Sequence, residues 1–146
     1  MATWHGWMGV VAALVLAGCQ PQDRTTVLKI TGSENLVWKS YTMAAGATLE
    51  VEFDASVNPD CTPTVAQGTL RLIGEPSHGK LTIEKTESFP NFKHGDPRWQ
   101  CNKKRVPGVL ALYRPDDGFV GEDTFKYDHY TADGQLLHMR AVVSVK

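Results

Sequence analysis

Hydrophobic and polar positions alternate with a period of two along most of the chain after residue 26. In the clearest segment, residues 48–53, apolar side chains fall on one face and acidic ones on the other: Leu49, Val51 and Phe53 against Glu50 and Glu52. Alternation of this kind is typical of a strand with one buried and one solvated face. We therefore expect Glu50 and Glu52 to face solvent.

The same pattern predicts about eight short strands in roughly 120 residues. They cover residues 27–31, 36–41, 48–53, 69–73, 80–84, 109–113, 124–130 and 136–145. No segment has convincing helical periodicity, although a single turn near 43–45 or 65–67 is compatible with the sequence. Many short strands separated by Gly and Pro favour an all-β fold, a single antiparallel sandwich or barrel.

Two stretches lack strand character, residues 58–68 and residues 88–106. The second is long and rich in Pro and Gly. Long loops inside a domain are usually functional or are tied down by other interactions. Phe92 and Trp99 lie in this loop and form a possible binding surface, the alternative being that they cover an open end of the sandwich.

The net charge of the chain argues against one class of function, the binding of nucleic acid. The chain has 15 Lys and Arg against 16 Asp and Glu, a formal net charge of −1. A protein that binds nucleic acid through electrostatics has a basic excess, so no nucleic acid is expected as a partner.

The segment Leu16-Ala17-Gly18-Cys19 ends an apolar run that begins at Val10. It resembles the lipobox of bacterial lipoproteins, in which the cysteine receives lipid. The resemblance implies a signal peptide over 1–18, a lipidated Cys19 with a tether over 19–26, and a folded domain over 27–146. The alternatives are an ordinary signal peptide or a buried first strand.

The lipobox resemblance also implies a location. We expect a bacterial cell-envelope protein held to its membrane by the N-terminal lipid. Gln20 follows the lipidated cysteine where sorting to the inner membrane would favour Asp. By similarity to enterobacterial sorting, the expected destination is the outer membrane, with the protein facing the periplasm.

Assigning Cys19 to lipid leaves two cysteines, Cys61 and Cys101. In an oxidising periplasm we expect them to form a disulfide. It would close a loop of 101 − 61 = 40 residues and stabilise the fold by roughly 3–4 kcal/mol in the chain-entropy model. A metal-binding or redox pair is the alternative.

A composite motif covers the C-terminal half. Its first part is Pro76-Ser77-His78-Gly79-Lys80-Leu81, and its second runs from Tyr113 to Tyr127 with Pro115, Gly118, Phe119, Gly121, Asp123 and Phe125 at fixed spacing. The pattern resembles the signature of bacterial Ig-like, cadherin-like modules. The resemblance implies an antiparallel Ig-like β-sandwich of about seven to eight strands.

Each motif residue has an expected structural role. Phe125 and Tyr127 should be buried while Lys126 faces solvent. Tyr127 is a candidate tyrosine corner, whose hydroxyl would bond a nearby backbone group. Gly118 and Gly121 should allow backbone conformations that let Phe119 fold inward. Asp123 should accept backbone N–H bonds in this loop.

The sequence offers few residues that could form a catalytic or metal-binding site. The four histidines of the mature chain show no ligand spacing: His78, His94, His129 and His138. The acidic residues of 116–123 are the alternative calcium ligands: Asp116, Asp117, Glu122 and Asp123. Ser77 and His78 are adjacent and no G-x-S-x-G occurs, so no catalytic residue, metal or cofactor is assigned.

These observations favour a noncatalytic envelope lipoprotein whose domain serves as a binding or structural module for an unidentified envelope protein or glycan. A metal-binding or enzymatic protein with its site in the 88–106 loop is one alternative. An Ig-like inhibitor that presents loops from a rigid sandwich is another.

Overall fold

The computed structural model describes residues 35–146. The expectations for the signal peptide, for Cys19, for the tether and for a strand over 27–31 lie outside the described residues. Seven strands are present: β1 (Leu36–Met43), β2 (Leu49–Asp54), β3 (Thr69–Gly74), β4 (Gly79–Ser88), β5 (Val106–Pro115), β6 (Gly121–Tyr130) and β7 (Leu136–Val145). Within this range, no helix is both long and apolar enough to cross a membrane.

The strands form two sheets that pack face to face. Sheet A has the order β1-β7-β6-β3 and sheet B the order β2-β5-β4. The predicted all-β sandwich is therefore confirmed. One pairing departs from the expected antiparallel arrangement, since β1 runs parallel to β7, with Leu36 opposite His138 and Met43 opposite Val145. A hairpin would force antiparallel pairing, but strands from the two ends of the domain are free to pair either way.

The loop expected over 88–106 is shorter than the sequence suggested and contains a 3₁₀ helix, Trp99–Lys103. Strands β4 and β5 extend to Ser88 and from Val106, and these two residues pair with each other. The helix begins with a bond from Trp99 N–H to the Asp96 carbonyl at 2.9 Å. The sequence analysis missed it because five residues are too few to show a helical period.

The core lies between the sheets and is built around three aromatic rings. Phe125 and Tyr127 of β6 are each about 1% exposed, whereas Lys126 between them is exposed. This confirms the alternation predicted for that strand. Tyr113 of β5 stacks on Phe125 with 5.3 Å between ring centroids. Aliphatic residues of both sheets surround them: Val51, Leu70, Leu81, Ala111, Met139, Ala141, Val143 and Val145.

The prediction that Glu52 faces solvent is wrong. A β-bulge interrupts β2, because Glu50 pairs with Leu112 while Glu52 pairs with the adjacent residue Ala111. A bulge inserts one extra residue, which is Val51 here, and reverses the facing of every residue beyond it. Glu52 therefore points between the sheets. Phe53, which was expected to join the main core, packs instead against a second, smaller core cluster.

Candidate functional site

A disulfide joins the two irregular segments of the chain. Cys61 and Cys101 are bonded, as predicted, and their Cα atoms are 5.4 Å apart. Cys101 is fully buried and forms a small cluster with Val57 and Val106. The disulfide therefore holds the loop that follows β2 against the loop between β4 and β5.

The two aromatic residues assigned to a possible binding surface have different environments. Phe92 is half-buried against the small cluster, and the Arg98 guanidinium lies 4.4 Å from the centre of its ring. Trp99 is 43% exposed and meets His94 edge-on. Phe92 thus covers the end of the sandwich, while Trp99 remains accessible. Phe89, which the sequence analysis did not single out, is also exposed.

Asp123 connects the two parts of the sequence motif. Its carboxylate accepts hydrogen bonds from the backbone N–H groups of Ser77 and His78, both at 2.9 Å. The Tyr113 hydroxyl donates a third bond at 2.9 Å. Burial would raise the pKa of Asp123, but the Ser77 and His78 N–H groups outweigh it and lower that pKa below its usual range. The residue therefore serves as a buried acceptor for the β3–β4 turn, a different loop from the one expected.

The remaining motif residues also have structural environments. The His78 ring stacks on Phe119 with 4.4 Å between centroids. Gly118 and Gly121 have φ of 77° and 144°, a region that favours glycine. The two prolines, Pro76 and Pro115, are buried, and Gly79 pairs with Pro115 where β4 begins. None of these residues forms a reactive group with a neighbour.

Tyr127 does not form a tyrosine corner. Its hydroxyl donates to the Glu52 carboxylate of the opposite sheet at 2.6 Å, rather than to a backbone group. Tyr41 is the tyrosine that bonds the backbone, at the Val51 carbonyl, 2.8 Å away. The difference follows from the bulge in β2, which brings a carboxylate into the interior within reach of Tyr127.

Glu52 is the centre of what we call the interior charge cluster: Lys39, Glu52, Asp54, Tyr127 and His129. The second Glu52 oxygen lies 3.1 Å from His129 Nδ1, and Lys39 Nζ lies 3.2 Å from the carboxylate. His129 Nε2 is 3.5 Å from the nearer Asp54 oxygen, longer than a normal hydrogen bond. Three strands contribute to the cluster, β1 and β6 of sheet A and β2 of sheet B.

The cluster favours the charged forms of His129 and Glu52 and the neutral form of the neighbouring Tyr41. The carboxylates of Asp54 and Glu52 raise the pKa of His129 to about 9. Burial alone would raise the pKa of Glu52, but hydrogen bonds from His129 and Tyr127 outweigh it and lower that pKa to about 2. Burial, reinforced by the Glu52 charge, raises the pKa of Tyr41 to about 12. At neutral pH His129 is therefore an imidazolium paired with carboxylates.

This arrangement is poorly suited to acid–base catalysis. A general acid or base must come within hydrogen-bond reach of a substrate. His129 is about 9% exposed, and one Asp54 oxygen is buried without a hydrogen-bond partner among the described residues. Gly68 lies directly against that oxygen, where any side chain would overlap it. The charges instead contact one another across the space between the two sheets.

The histidines do not converge. His78 lies at the β3–β4 turn and His94 in the loop after β4, while His138 contacts Asp128 at 2.8 Å on the outer face of sheet A. Across residues 35–146, no group of three His, Cys, Asp or Glu side chains has an arrangement that could hold a metal ion. Of the acidic residues considered as calcium ligands, Asp123 has its carboxylate occupied by protein donors.

The outer face of sheet A carries an exposed apolar patch that the sequence analysis missed. Strand β1 directs Trp38 outward and Lys39 inward, so Trp38 is 58% exposed. Leu36 and Ile73 of the same face are also exposed. Leu36 and Trp38 form the outer patch, with Ile73 on the far edge strand of the sheet beyond β7 and β6, and the Arg140 guanidinium lies 4.6 Å from the centre of the Trp38 ring. The sequence offered one signal, because both Leu36 and Trp38 fall on the opposite face from Lys39.

A cleft of about 600 Å³ opens between the sheets. Its walls come from the loop before β3, the end of β4 and the start of β5: Pro63, Thr64, Gln67, Gly68, Thr69, Lys85, Thr86, Glu87, Pro107, Gly108 and Val109. Gly68 separates it from the Asp54 carboxylate. The cleft is therefore an open groove beside the interior charge cluster and not a pocket that exposes it.

Comparison with known proteins adds little. The chain matches no protein-family model and no curated protein. Among solved structures it is similar to the solution structure of amebosin, with 12% identity over 76% of this chain and 96% of that one. The TM-score is 0.39. A similarity at this level supports no inference about fold or function.

Proposed function

We propose that the protein is a noncatalytic, membrane-anchored lipoprotein of the bacterial cell envelope, at the outer membrane and facing the periplasm. Its Ig-like β-sandwich would serve there as a binding module for a protein or glycan. The lipobox sequence ending at Cys19 supports the anchor. The disulfide between Cys61 and Cys101 is in keeping with an oxidising compartment.

The Ig-like assignment is supported by the way the motif residues meet. Asp123 of the second motif segment bonds the backbone of Ser77 and His78 in the first. The two segments are thus parts of one structural unit at one end of the sandwich, which is what a shared family signature would require.

The outer patch is the observation that carries the binding function. Exposed apolar residues scattered singly are normal on a soluble protein, but adjacent ones mark interaction sites. Trp38 shares the outer face of β1 with Leu36, and the Arg140 side chain lies against its ring. Tryptophan and arginine are the residues that most often dominate binding energy. The aliphatic Leu36 beside Trp38 favours a protein over a glycan as the partner.

The alternative of a metal-binding or enzymatic site in the 88–106 loop has less support. Within the described loop, His94 contacts Trp99 and Asp96 pairs with Arg98 at 2.7 Å. His78, the other histidine considered, lies near the opposite end of the molecule beside Phe119. An inhibitor that presents the disulfide-linked loops is the remaining alternative.

The test is an affinity capture from detergent-solubilised envelopes with the lipidated protein as bait. Trp38→Ala removes the centre of the outer patch, and truncation of a tryptophan hot spot weakens binding by about 2 kcal/mol or more, roughly 30-fold. Val65→Ser is the matched control, because Val65 is a fully exposed apolar residue of the loop between β2 and β3, outside the outer patch.

We expect a protein that the parent and Val65→Ser both retain and Trp38→Ala loses. Identical capture by all three baits would contradict a role for the outer patch. Retention of polysaccharide alone, lost in the same variant, would show that the partner is a glycan.

A further inference from the structure

The loop between β4 and β5 has a charge opposite to that of the chain as a whole. Residues 89–105, which we call the basic loop, carry five cations and one carboxylate: Lys93, Arg98, Lys103, Lys104 and Arg105 against Asp96. The formal charge of the basic loop is thus 5 − 1 = +4, while the whole chain has −1. Two carboxylates flank it, those of Asp60 and Glu87, and neither cancels the excess.

Exposed aromatic rings accompany these cations. Phe89 is 53% exposed, Trp99 of the same loop is 43% exposed, and Lys103, Lys104 and Arg105 are all exposed. The Arg105 guanidinium lies 5.9 Å from the centre of the Phe89 ring. Tryptophan is enriched where a protein meets the headgroup region of a bilayer, because its ring has an apolar body and a polar N–H.

The chain enters the described domain at the same end of the sandwich. In sheet A, Leu36 at the start of β1 lies opposite His138, near the turn that joins β6 to β7. Tyr130 at the end of β6 pairs with Thr69 at the start of β3. The entry point of the chain and the start of β3 therefore share one end.

Sheet B places the basic loop at that end too. The cleft brings Thr69 of β3 together with Glu87 near the end of β4 and Val109 near the start of β5. The basic loop directly connects β4 to β5. It therefore projects from the end of the sandwich that lies nearest the N-terminal segment.

The opposite end is acidic. The β5–β6 turn and the start of β6, residues 116–123, hold Asp116, Asp117, Glu122 and Asp123 and no Lys or Arg, although Lys80, Arg114 and Lys146 lie beside them. Charge is therefore distributed along the long axis of the sandwich, with the positive end toward the N-terminal segment and the negative end away from it.

We propose that the basic loop rests on the anionic lipid surface of the membrane that holds the anchor. This inference rests on the lipid anchor at Cys19 proposed above. Trp99 and Phe89 then lie at the level of the headgroups, while Lys103 and Lys104 contact lipid phosphates. Asn35 lies 35 − 19 = 16 positions after Cys19, a distance of at most about 55 Å fully extended, so the anchor leaves the domain close enough for contact.

Docking adds a second attachment to the lipid chains. Each Lys or Arg near an anionic bilayer contributes about 1 kcal/mol, and a polybasic patch converts weak acyl anchoring into stable attachment. Docking also orients the sandwich, because only the end that carries the basic loop is attracted to the anionic surface. The outer patch then faces sideways along the membrane.

Tryptophan fluorescence can test this directly, because cleavage before Cys19 leaves only Trp38 and Trp99. Full-length protein, processed and lipidated in cells, is reconstituted into vesicles that contain brominated lipid as a quencher. One set is phosphatidylcholine alone, and the other includes phosphatidylglycerol. Trp38→Phe reports on Trp99, and Trp99→Phe reports on Trp38. We expect strong quenching of Trp99 in the anionic vesicles only, with Trp38 unquenched in both.

Charge variants identify the contact. Lys103→Ala with Lys104→Ala should lower the ratio of docked to undocked protein about 30-fold, corresponding to about 2 kcal/mol for two cations. Lys80→Ala with Lys146→Ala is the control, since it removes the same charge from exposed positions outside the basic loop. Equal loss of Trp99 quenching in both double variants would overturn the proposal, because net charge and not the basic loop would then be responsible.

Flotation of the same samples separates the anchor from the docking. If the protein floats with both vesicle types but Trp99 is not quenched, the lipid anchor is supported and the docking is contradicted. The ligand of the basic loop would then be a soluble anionic glycan. Flotation with anionic vesicles alone contradicts the lipid anchor but supports docking. Flotation with neither contradicts both.

Discussion

The interior charge cluster is expected to make the stability of the protein fall as the pH rises above neutrality. The pKa of His129 is raised from 6.5 in the unfolded chain to about 9 in the fold. A raised pKa contributes stability that is complete below the unfolded value and is lost as the pH rises through the folded value. The rise of the His129 pKa from 6.5 to about 9 corresponds to about 3 kcal/mol of unfolding free energy, which is lost between pH 6.5 and 9.

Glu52→Gln is the variant that tests this reasoning. The amide keeps the size of the side chain but removes the charge that pairs with His129 Nδ1 at 3.1 Å. Breaking a buried ion pair from one side costs at most about 3–5 kcal/mol, and less here because Asp54 still faces the imidazole. We therefore expect lower stability below pH 6.5 and a weaker dependence of stability on pH above it.

Urea denaturation of residues 20–146 across about pH 6 to pH 9.5 measures both effects. NMR titration of the His129 ring protons gives its pKa independently. His138→Gln is the control, because His138 also pairs with a carboxylate, that of Asp128, but has a half-exposed side chain. The reasoning is refuted if the parent is equally stable at both ends of the range, or if Glu52→Gln keeps the full loss.

Three further outcomes are expected. Phe125→Ala should lower the unfolding free energy by about 3–5 kcal/mol, whereas the exposed Lys126→Ala should change it by less than about 0.5 kcal/mol; equal stability of Phe125→Ala and the parent in denaturant would disprove the packing argument. Cys19→Ala should abolish labelling by a fatty-acid analogue, and persistent label would end the lipoprotein assignment. Replacing both Cys61 and Cys101 with Ser should cost roughly 3–4 kcal/mol, and non-reducing peptide mapping of the parent should recover their peptides linked; two alkylatable thiols would contradict the disulfide.

Much of the fold could be predicted because most strands obey a two-residue period. In β6, Phe125 and Tyr127 are buried and Lys126 is exposed, as the alternation required. The disulfide followed from compartment and cysteine count. Local pattern carries this information because alternation along a regular strand decides which of its side chains share a face.

The candidate sites depend on features of strand pairing that the alternation of polar and apolar residues does not reveal. The bulge at Val51 turns Glu52 inward, and nothing in the alternation of Leu49 to Phe53 marks the extra residue. Lys39 points inward because a carboxylate from the other sheet is there to receive it, 3.2 Å away. The outer patch exists for the same reason, because neighbouring residues of a strand face opposite sides and an inward Lys39 leaves Trp38 facing outward. Such choices belong to pairs of strands, so one strand read alone misses them.

The parallel pairing of β1 with β7 has a consequence for biogenesis. Leu36 meets a residue 138 − 36 = 102 positions later in the chain, so the first described strand finds its neighbour only when the last has been delivered. Contacts this distant in sequence form late and slow folding. If the proposed signal peptide directs export, this late pairing suits a chain that crosses the membrane unfolded, because sheet A cannot be completed before β7 has emerged on the far side.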